Sequence, residues 1–230
     1  MLFYLPDFNQ PVLPETDALH VLKVLRKKKG DFIRVSDGKG RKAQARIESA
    51  DIRNCLLQLS EAEFEEKSET EIWLAVAPTK QMERMEWMVE KCTEIGADGF
   101  VFFHSARTER SIIKTERLEK VALSAMKQSG QSRLPAIRWY SAWSLFPWNE
   151  FDHFFVADLG ENATDQLIPQ TGKNLILTGP EGDFTPEEYK EIRAHQAKRI
   201  RLRPQILRTE TAAIFALCQA HLPAHSAKPH

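Results

Sequence analysis

The stretch LILTGPEGDFTPEE (175–188) reads as an apolar strand, a Gly-Pro-Glu-Gly loop and the first turn of a helix. The run NLILTGP (174–180) lacks polar alternation, as expected of a strand covered on both faces. Thr185 is placed to cap the helix, Pro186 fits a first turn that needs no amide proton, and Glu188 completes a capping box. Gly179 and Gly182 let other groups approach the main chain closely. A loop at the carboxyl end of such a strand is where open α/β sheets hold their ligands. It has neither the Lys-Ser/Thr of a P-loop nor the GxGxxG of a dinucleotide fold, so phosphate cradling fits it poorly. Taken alone, it equally suits a tight connection that binds nothing.

Around this stretch, strands alternate with helices. EIWLAVAP (71–78) precedes a helix over 82–95, whose Met82, Met85, Met88, Val89, Cys92 and Ile95 share one face. Strand 99–103, helix 115–129, strand 136–140, a short helix near 144–149 and strand 153–158 lead to the quoted segment. Helix 186–196, strand 199–203 and a last helix over 209–221 follow it. This order predicts a mostly parallel sheet with helices on both faces. Upstream the pattern differs. A helix-like stretch at 18–25 is followed by DFIRVS (31–36), KAQARIESA (42–50) and NCLLQLS (54–60), with Asp37-Gly38-Lys39-Gly40 as a hairpin turn. These predict a small antiparallel barrel. The acidic, aperiodic EAEFEEKSETE (61–71) suits a hinge. The expected domains are therefore 1–68 and 69–223, with AHSAKPH (224–230) a disordered tail.

With 230 residues, 42% of them hydrophobic, the chain can bury a core without disulfides. Cys55, Cys92 and Cys218 have no CxxC spacing, which argues against a disulfide framework or a zinc site and favours a reducing cytoplasm. Pro6 and Asp7 come too early for a signal-peptide core, and no apolar run is long enough to span a bilayer, so neither secretion nor membrane insertion is expected. The 32 basic and 32 acidic residues cancel, but they are not evenly spread. Between His20 and Arg46 lie Lys23, Arg26, Lys27, Lys28, Lys29, Arg34, Lys39, Arg41, Lys42 and Arg46 against only Asp31 and Asp37. Segregation of this kind makes a phosphate-binding face possible on a neutral protein, although a solvated charged face would look the same.

A second informative segment is RLRPQILRTETAAIFAL (201–217), in which Arg208 and Glu210 are the only charges from Pro204 to Leu217. Charges isolated in apolar sequence must reach solvent or be paired. Either a structural salt bridge or a ligand-facing pair satisfies that requirement.

The two segments, in this order and near the C-terminus, resemble the ribosomal RNA small-subunit methyltransferase E family. That family methylates N3 of a uridine in 16S RNA and belongs to the knotted SPOUT superfamily. HVLKVLRKKKGD (20–31), PTKQMERMEWMVEKCTEIGAD (78–98) and AMKQSGQSRLP (125–135) are similar to further family stretches, so the likeness spans nearly the whole chain. There are departures. Asp183 stands where the family has a third glycine, Arg203 where it has glycine and Gln205 where it has arginine, and MLFYLP lacks the arginines that many members carry.

The resemblance implies an N-terminal PUA-like β-barrel that holds RNA and a C-terminal SPOUT-type α/β domain with a deep trefoil knot. It implies S-adenosylmethionine as cofactor, 16S rRNA within the 30S subunit as substrate, a homodimer, and no metal or membrane. The cofactor is expected at Leu177, Thr178, Gly179, Pro180, Glu181, Gly182, Leu202, Gln205, Ile206, Leu207 and Thr211. RNA is expected at His20, Lys23, Arg26, Lys27, Lys28, Gln128 and Arg133. Arg208 is the candidate for stabilising charge on the uracil as its N3 proton leaves, and Glu210 for accepting that proton or orienting Arg208.

Overall fold

A computed structural model describes residues 1–160, 163 and 166–222. The tail at 224–230 lies outside them. The chain forms two compact units, Met1–Lys67 with Leu123–Leu134, and Ser68–Ala122 with the residues from Pro135 onward.

In the first unit β1 (Leu2–Tyr4), β2 (Val12–Leu13), α1 (Glu15–Leu19), β3 (Phe32–Ser36), β4 (Arg41–Ile47), β5 (Cys55–Leu59) and β6 (Glu63–Phe64) follow one another. The sheet order is β1-β3-β4-β5-β2, with β6 on β4. Only β1–β3 is parallel. Along β4, buried Ala43, Ala45 and Ile47 alternate with exposed Gln44 and Arg46, as a sheet with one wet face requires. Ala43, Ala45 and Ile47 join Phe3, Leu5, Val35 and Leu57 in the core. The Asp37–Gly40 turn forms as the sequence predicts. Gly38 and Gly40 have φ of 72° and 108°, and Asp37 accepts from the amides of Lys39 (2.7 Å) and Arg41 (3.0 Å). Burial opposes the charge of Asp37, but the Arg41 guanidinium and these amides prevail and hold its carboxyl below the usual range.

The helix expected at 18–25 is α1 followed by a π turn over His20–Val24. Within the segment read as a hinge, Glu63–Phe64 pairs with β4.

The second unit is built on β7 (Thr70–Val76), α2 (Met82–Ile95), β8 (Gly99–Phe103), α3 (Thr115–Ser129), whose last turns from Leu123 group with the first unit, β9 (Ala136–Tyr140), β10 (His153–Ala157), β11 (Gly172–Thr178), α4 (Pro186–Ala194), β12 (Lys198–Ile200) and α5 (Thr209–His221). All six strands are parallel, in the order β12-β10-β11-β7-β8-β9. The central β11 pairs with β7 in register from Gly172↔Thr70 to Thr178↔Val76, and its Asn174 to Leu177 are fully buried, as its unbroken apolar run requires. After β9 the chain returns to the opposite side of β7, so strand order reverses there. Such a reversal opens a crevice at the carboxyl ends of the strands. Two 3-10 turns, Trp143–Leu145 and Trp148–Glu150, replace the single short helix expected near 144–149. Strand 199–203 is shorter than expected, ending at Ile200.

Candidate active site

The capping box read from the sequence forms. Thr185 Oγ1 accepts from the Glu188 amide at 3.2 Å, and the Glu188 carboxylate accepts from the Thr185 amide at 2.8 Å. The buried Glu188 also accepts from the amide of Ala106 at 2.8 Å, and Arg107 Nη1 donates to the Gly182 carbonyl at 2.7 Å, so the loop after β8 holds the Gly-Pro-Glu-Gly turn from outside. A Cβ on Gly179 would sit 2.9 Å from the Phe184 ring, which accounts for glycine there on packing alone.

Asp183 adopts a left-handed φ of 63°. Glycine suits this conformation best, and aspartate is among the few other residues that tolerate it. Its carboxylate accepts from the Phe184 amide at 2.8 Å and the Tyr189 hydroxyl at 2.9 Å, which stabilises the departure from the family's glycine. Burial first, and then this carboxylate, push the Tyr189 phenol well above its ordinary pKa.

Next to this turn is a cavity of about 1000 Å³ at the carboxyl ends of β10, β11 and β12. Of the expected cofactor residues, Thr178, Gly179, Pro180, Glu181, Leu202, Gln205, Ile206 and Leu207 line it, as does Arg208. Leu177, Gly182 and Thr211 do not: Leu177 is in the core, Gly182 is exposed with its carbonyl on Arg107, and Thr211 is exposed on the first turn of α5. The loop into α5 is tied to the turn where Thr209 Oγ1 donates to the Gly179 carbonyl at 3.1 Å.

Arg208 and Glu210 do not pair with each other. Glu210, 5% exposed and not part of the cavity wall, has Oε1 3.7 Å from Arg84 Nε, while its Oε2 has no hydrogen-bond partner. Arg84 Nη1 lies 3.8 Å from Glu181. Arg84, on α2, therefore stands between an acid of the turn and an acid of α5, and it lines the cavity. Arg208 is exposed; its carbonyl accepts from the Ala212 amide at 2.8 Å, and its side chain makes no hydrogen bond or ion pair among the described residues.

Sequence reading missed Arg84, for which no local pattern exists. It also missed Asp158, Leu159 and Gly160, although HFFVAD places Asp158 at a strand's carboxyl end, where ligand sites gather. Asp158 binds Arg199 Nε at 2.5 Å and the Gly160 amide at 2.7 Å. Burial opposes its charge, but Arg199 and that amide prevail and hold its carboxyl below the usual range.

The expected RNA residues lie in the first unit. Lys23, Arg26, Lys28 and Gln128 are exposed, Lys27 is half-buried, and His20 packs edge-on against Phe3 with ring centroids 5.9 Å apart. Arg133 donates to the carbonyls of Lys39 and Glu65 and covers the Phe64 ring. Among the described residues there is no group of three or more potential metal ligands, and no helix is long and apolar enough to cross a membrane.

The family model of the RNA methyltransferase domain matches residues 66–221, and that of the RNA methyltransferase PUA domain matches 13–60. Ribosomal RNA small subunit methyltransferase E of Bacillus subtilis (strain 168) is 29% identical over 217 residues, covering 86% of this chain and 84% of the relative. A probable rRNA-methyltransferase from Porphyromonas gingivalis is similar in structure, with a TM-score of 0.84 and 38% identity over 94% of this chain and 95% of that one. A Legionella pneumophila protein solved in complex with the cofactor SAM has a TM-score of 0.80 and 26% identity, covering 94% and 95% of the two chains. The chain belongs to the ribosomal RNA small subunit methyltransferase E family.

Proposed function

We propose that this chain transfers a methyl group from S-adenosylmethionine to N3 of a uridine in 16S ribosomal RNA, acting in the cytoplasm as a homodimer on RNA within the 30S subunit. The domain limits 1–68 and 69–223 and the deep trefoil knot belong to the same proposal. The observation that carries it is the strand-end cavity walled by Gly179, Pro180 and Glu181 and by the 202–208 loop, whose Arg208 side chain is unpaired among the described residues.

The residues present fit the cofactor. The volume is at the upper end of small-molecule sites. Ile206, 84% exposed, and Leu159, 49% exposed, leave apolar surface for an adenine to cover, and Glu181 and Asp183 offer negative charge to a sulfonium and an ammonium. Bound there, S-adenosylmethionine supplies a methyl group already activated by its positive sulfur.

What remains falls to the protein. Uridine N3 carries a proton at neutral pH, and its loss spreads negative charge onto the flanking carbonyl oxygens. The Arg208 guanidinium, unpaired among the described residues, is free to turn toward that charge and stabilise it. Glu210 is the candidate proton acceptor or positioning acid. Its pairing with Arg84 instead of Arg208 and its place outside the cavity wall favour positioning, exerted through Arg84 on the turn. His20, Lys23, Arg26, Lys27, Lys28, Gln128 and Arg133 are the proposed RNA contacts.

The test is to incubate naked 16S RNA and 30S particles from an unmethylated source with labelled cofactor and map the product. One N3-methylated uridine, formed on particles, is the expected result; no transfer, or transfer to another atom, overturns the proposal.

A further inference from the structure

The first unit carries an opening of its own. On the wet face of its sheet, Phe32 and Arg34 of β3 stand opposite Arg46 and Gln44 of β4. Residues two apart on a strand share a face, so these four side chains form one cluster. Phe32 leaves 53% of its surface exposed, beside Leu25 at 43% and Met1 at 66%. With Lys27, Arg34 and Gln44 these residues line a shallow pocket of about 260 Å³. It is smaller than the clefts that enclose a whole cofactor.

An exposed apolar patch rimmed by polar groups marks an interaction site. Here the rim is cationic. Lys27 and Arg34 form no ion pair among the described residues, and the nearby Arg46 is only loosely held, 3.6 Å from Glu48. The backbone that presents Leu25 and Lys27 is unusual too, since Arg26 between them takes a left-handed φ of 53° directly after the π turn. Such strain persists where the fold must aim particular side chains.

We propose that this pocket holds an unpaired base of a single-stranded RNA segment. The base stacks on the Phe32 ring, Arg34 and Lys27 meet the flanking phosphates, and the Gln44 amide reads the base edge. An aromatic face set among cations is how proteins bind single strands, whereas a duplex offers phosphates but no free base face. The identity of the RNA rests on the methyltransferase reading, which the pocket deepens by naming a second contact that selects unpaired sequence.

Binding of the full-length chain to a labelled single strand of about ten nucleotides and to a hairpin duplex tests this. Phe32→Ala should weaken single-strand binding about tenfold, leave duplex binding and the melting temperature unchanged, and be rescued by Phe32→Trp. Lys27→Ala and Arg34→Ala should each flatten the salt slope by about 0.7. In methyl transfer to 30S particles the Phe32→Ala enzyme should show a raised KM for RNA and an unchanged kcat. Wild-type single-strand affinity in Phe32→Ala, or an equal loss on duplex, overturns the pocket. A wild-type protein that binds single strands through Phe32 yet methylates no rRNA keeps the pocket and removes the methyltransferase reading.

Discussion

The two loops that wall the cavity are built on opposite principles. From Gly179 to Thr185 almost every residue is fixed by something: Gly179 by Thr209 and Phe184, Gly182 by Arg107, Asp183 by Tyr189 and Thr185 by Glu188. Among the described residues the 201–208 loop is held at its ends, where Arg201 Nη2 donates to the Gly160 carbonyl at 2.9 Å beside the buried Leu202, and where Thr209 Oγ1 donates to the Gly179 carbonyl. Between them Arg203, Pro204, Gln205 and Ile206 are all exposed, and the Arg208 side chain is unpaired among the described residues. A wall held this way places a ligand without reorganising, while a bare one gains its order from what it covers. The molecule therefore joins a fixed cradle to an adaptable cover, and substitutions in the two should fail differently.

The largest effect is expected on the bare side. Arg208→Ala should reduce turnover on the order of a hundredfold or more with an unchanged melting temperature, because no side-chain hydrogen bond or ion pair among the described residues is lost. Arg208→Lys should recover only part of it, since a point charge lacks the guanidinium fork. Single-turnover kinetics on 30S particles decides the matter: a stable Arg208→Ala enzyme with near-normal transfer removes the assignment.

On the fixed side the loss should appear in stability. Glu188→Ala strands the amides of Ala106 and Thr185 and should cost roughly 2–3 kcal/mol in urea unfolding. A change near zero would mean that the turn is not rigid. Ile206→Ser tests the cover, with S-adenosylmethionine affinity falling about tenfold by calorimetry while stability stays put. A simultaneous fall in melting temperature would show that Ile206 packs on protein.

The smallest effect is expected at Asp183. Asp183→Gly relieves left-handed strain of about 1 kcal/mol but removes hydrogen bonds worth about as much, so net stability near pH 7 should change by less than about 1 kcal/mol. Its signature lies in alkali. Tyr189 has a raised pKa when folded, so it contributes stability that is complete below the ordinary tyrosine pKa of about 10 and is lost as pH rises beyond it. Removing the carboxylate shrinks the shift, and melting curves above that pH should decline less steeply for Asp183→Gly than for the wild type.

How much of this the sequence could show depends on the range of the interaction. The capping box at Thr185 and Glu188 and the hairpin turn at Asp37 were legible because each is closed by residues within four positions. Parallel strands such as β11 announce themselves by an unbroken apolar run. The three-residue β1 and the two-residue β2 are too short to show any period. Arg84 meets Glu210 from another helix, so no local pattern could reveal the pair. The Arg208–Glu210 bridge could have been doubted on spacing alone, since residues two apart at a helix start point in different directions. The exchange at Asp183 was visible, but its consequence required the backbone angle.

One feature of the fixed wall reaches into spectroscopy. Phe184, which packs on Gly179, lies 5.7 Å from the Trp143 ring, and Trp143 lies 5.6 Å from Trp148. All five tryptophans, Trp73, Trp87, Trp139, Trp143 and Trp148, belong to the unit that holds the cavity, and the first unit has none. Indole emission is thus a native, label-free gauge carried wholly by the unit that holds the cavity, through which occupancy of that cavity can be followed.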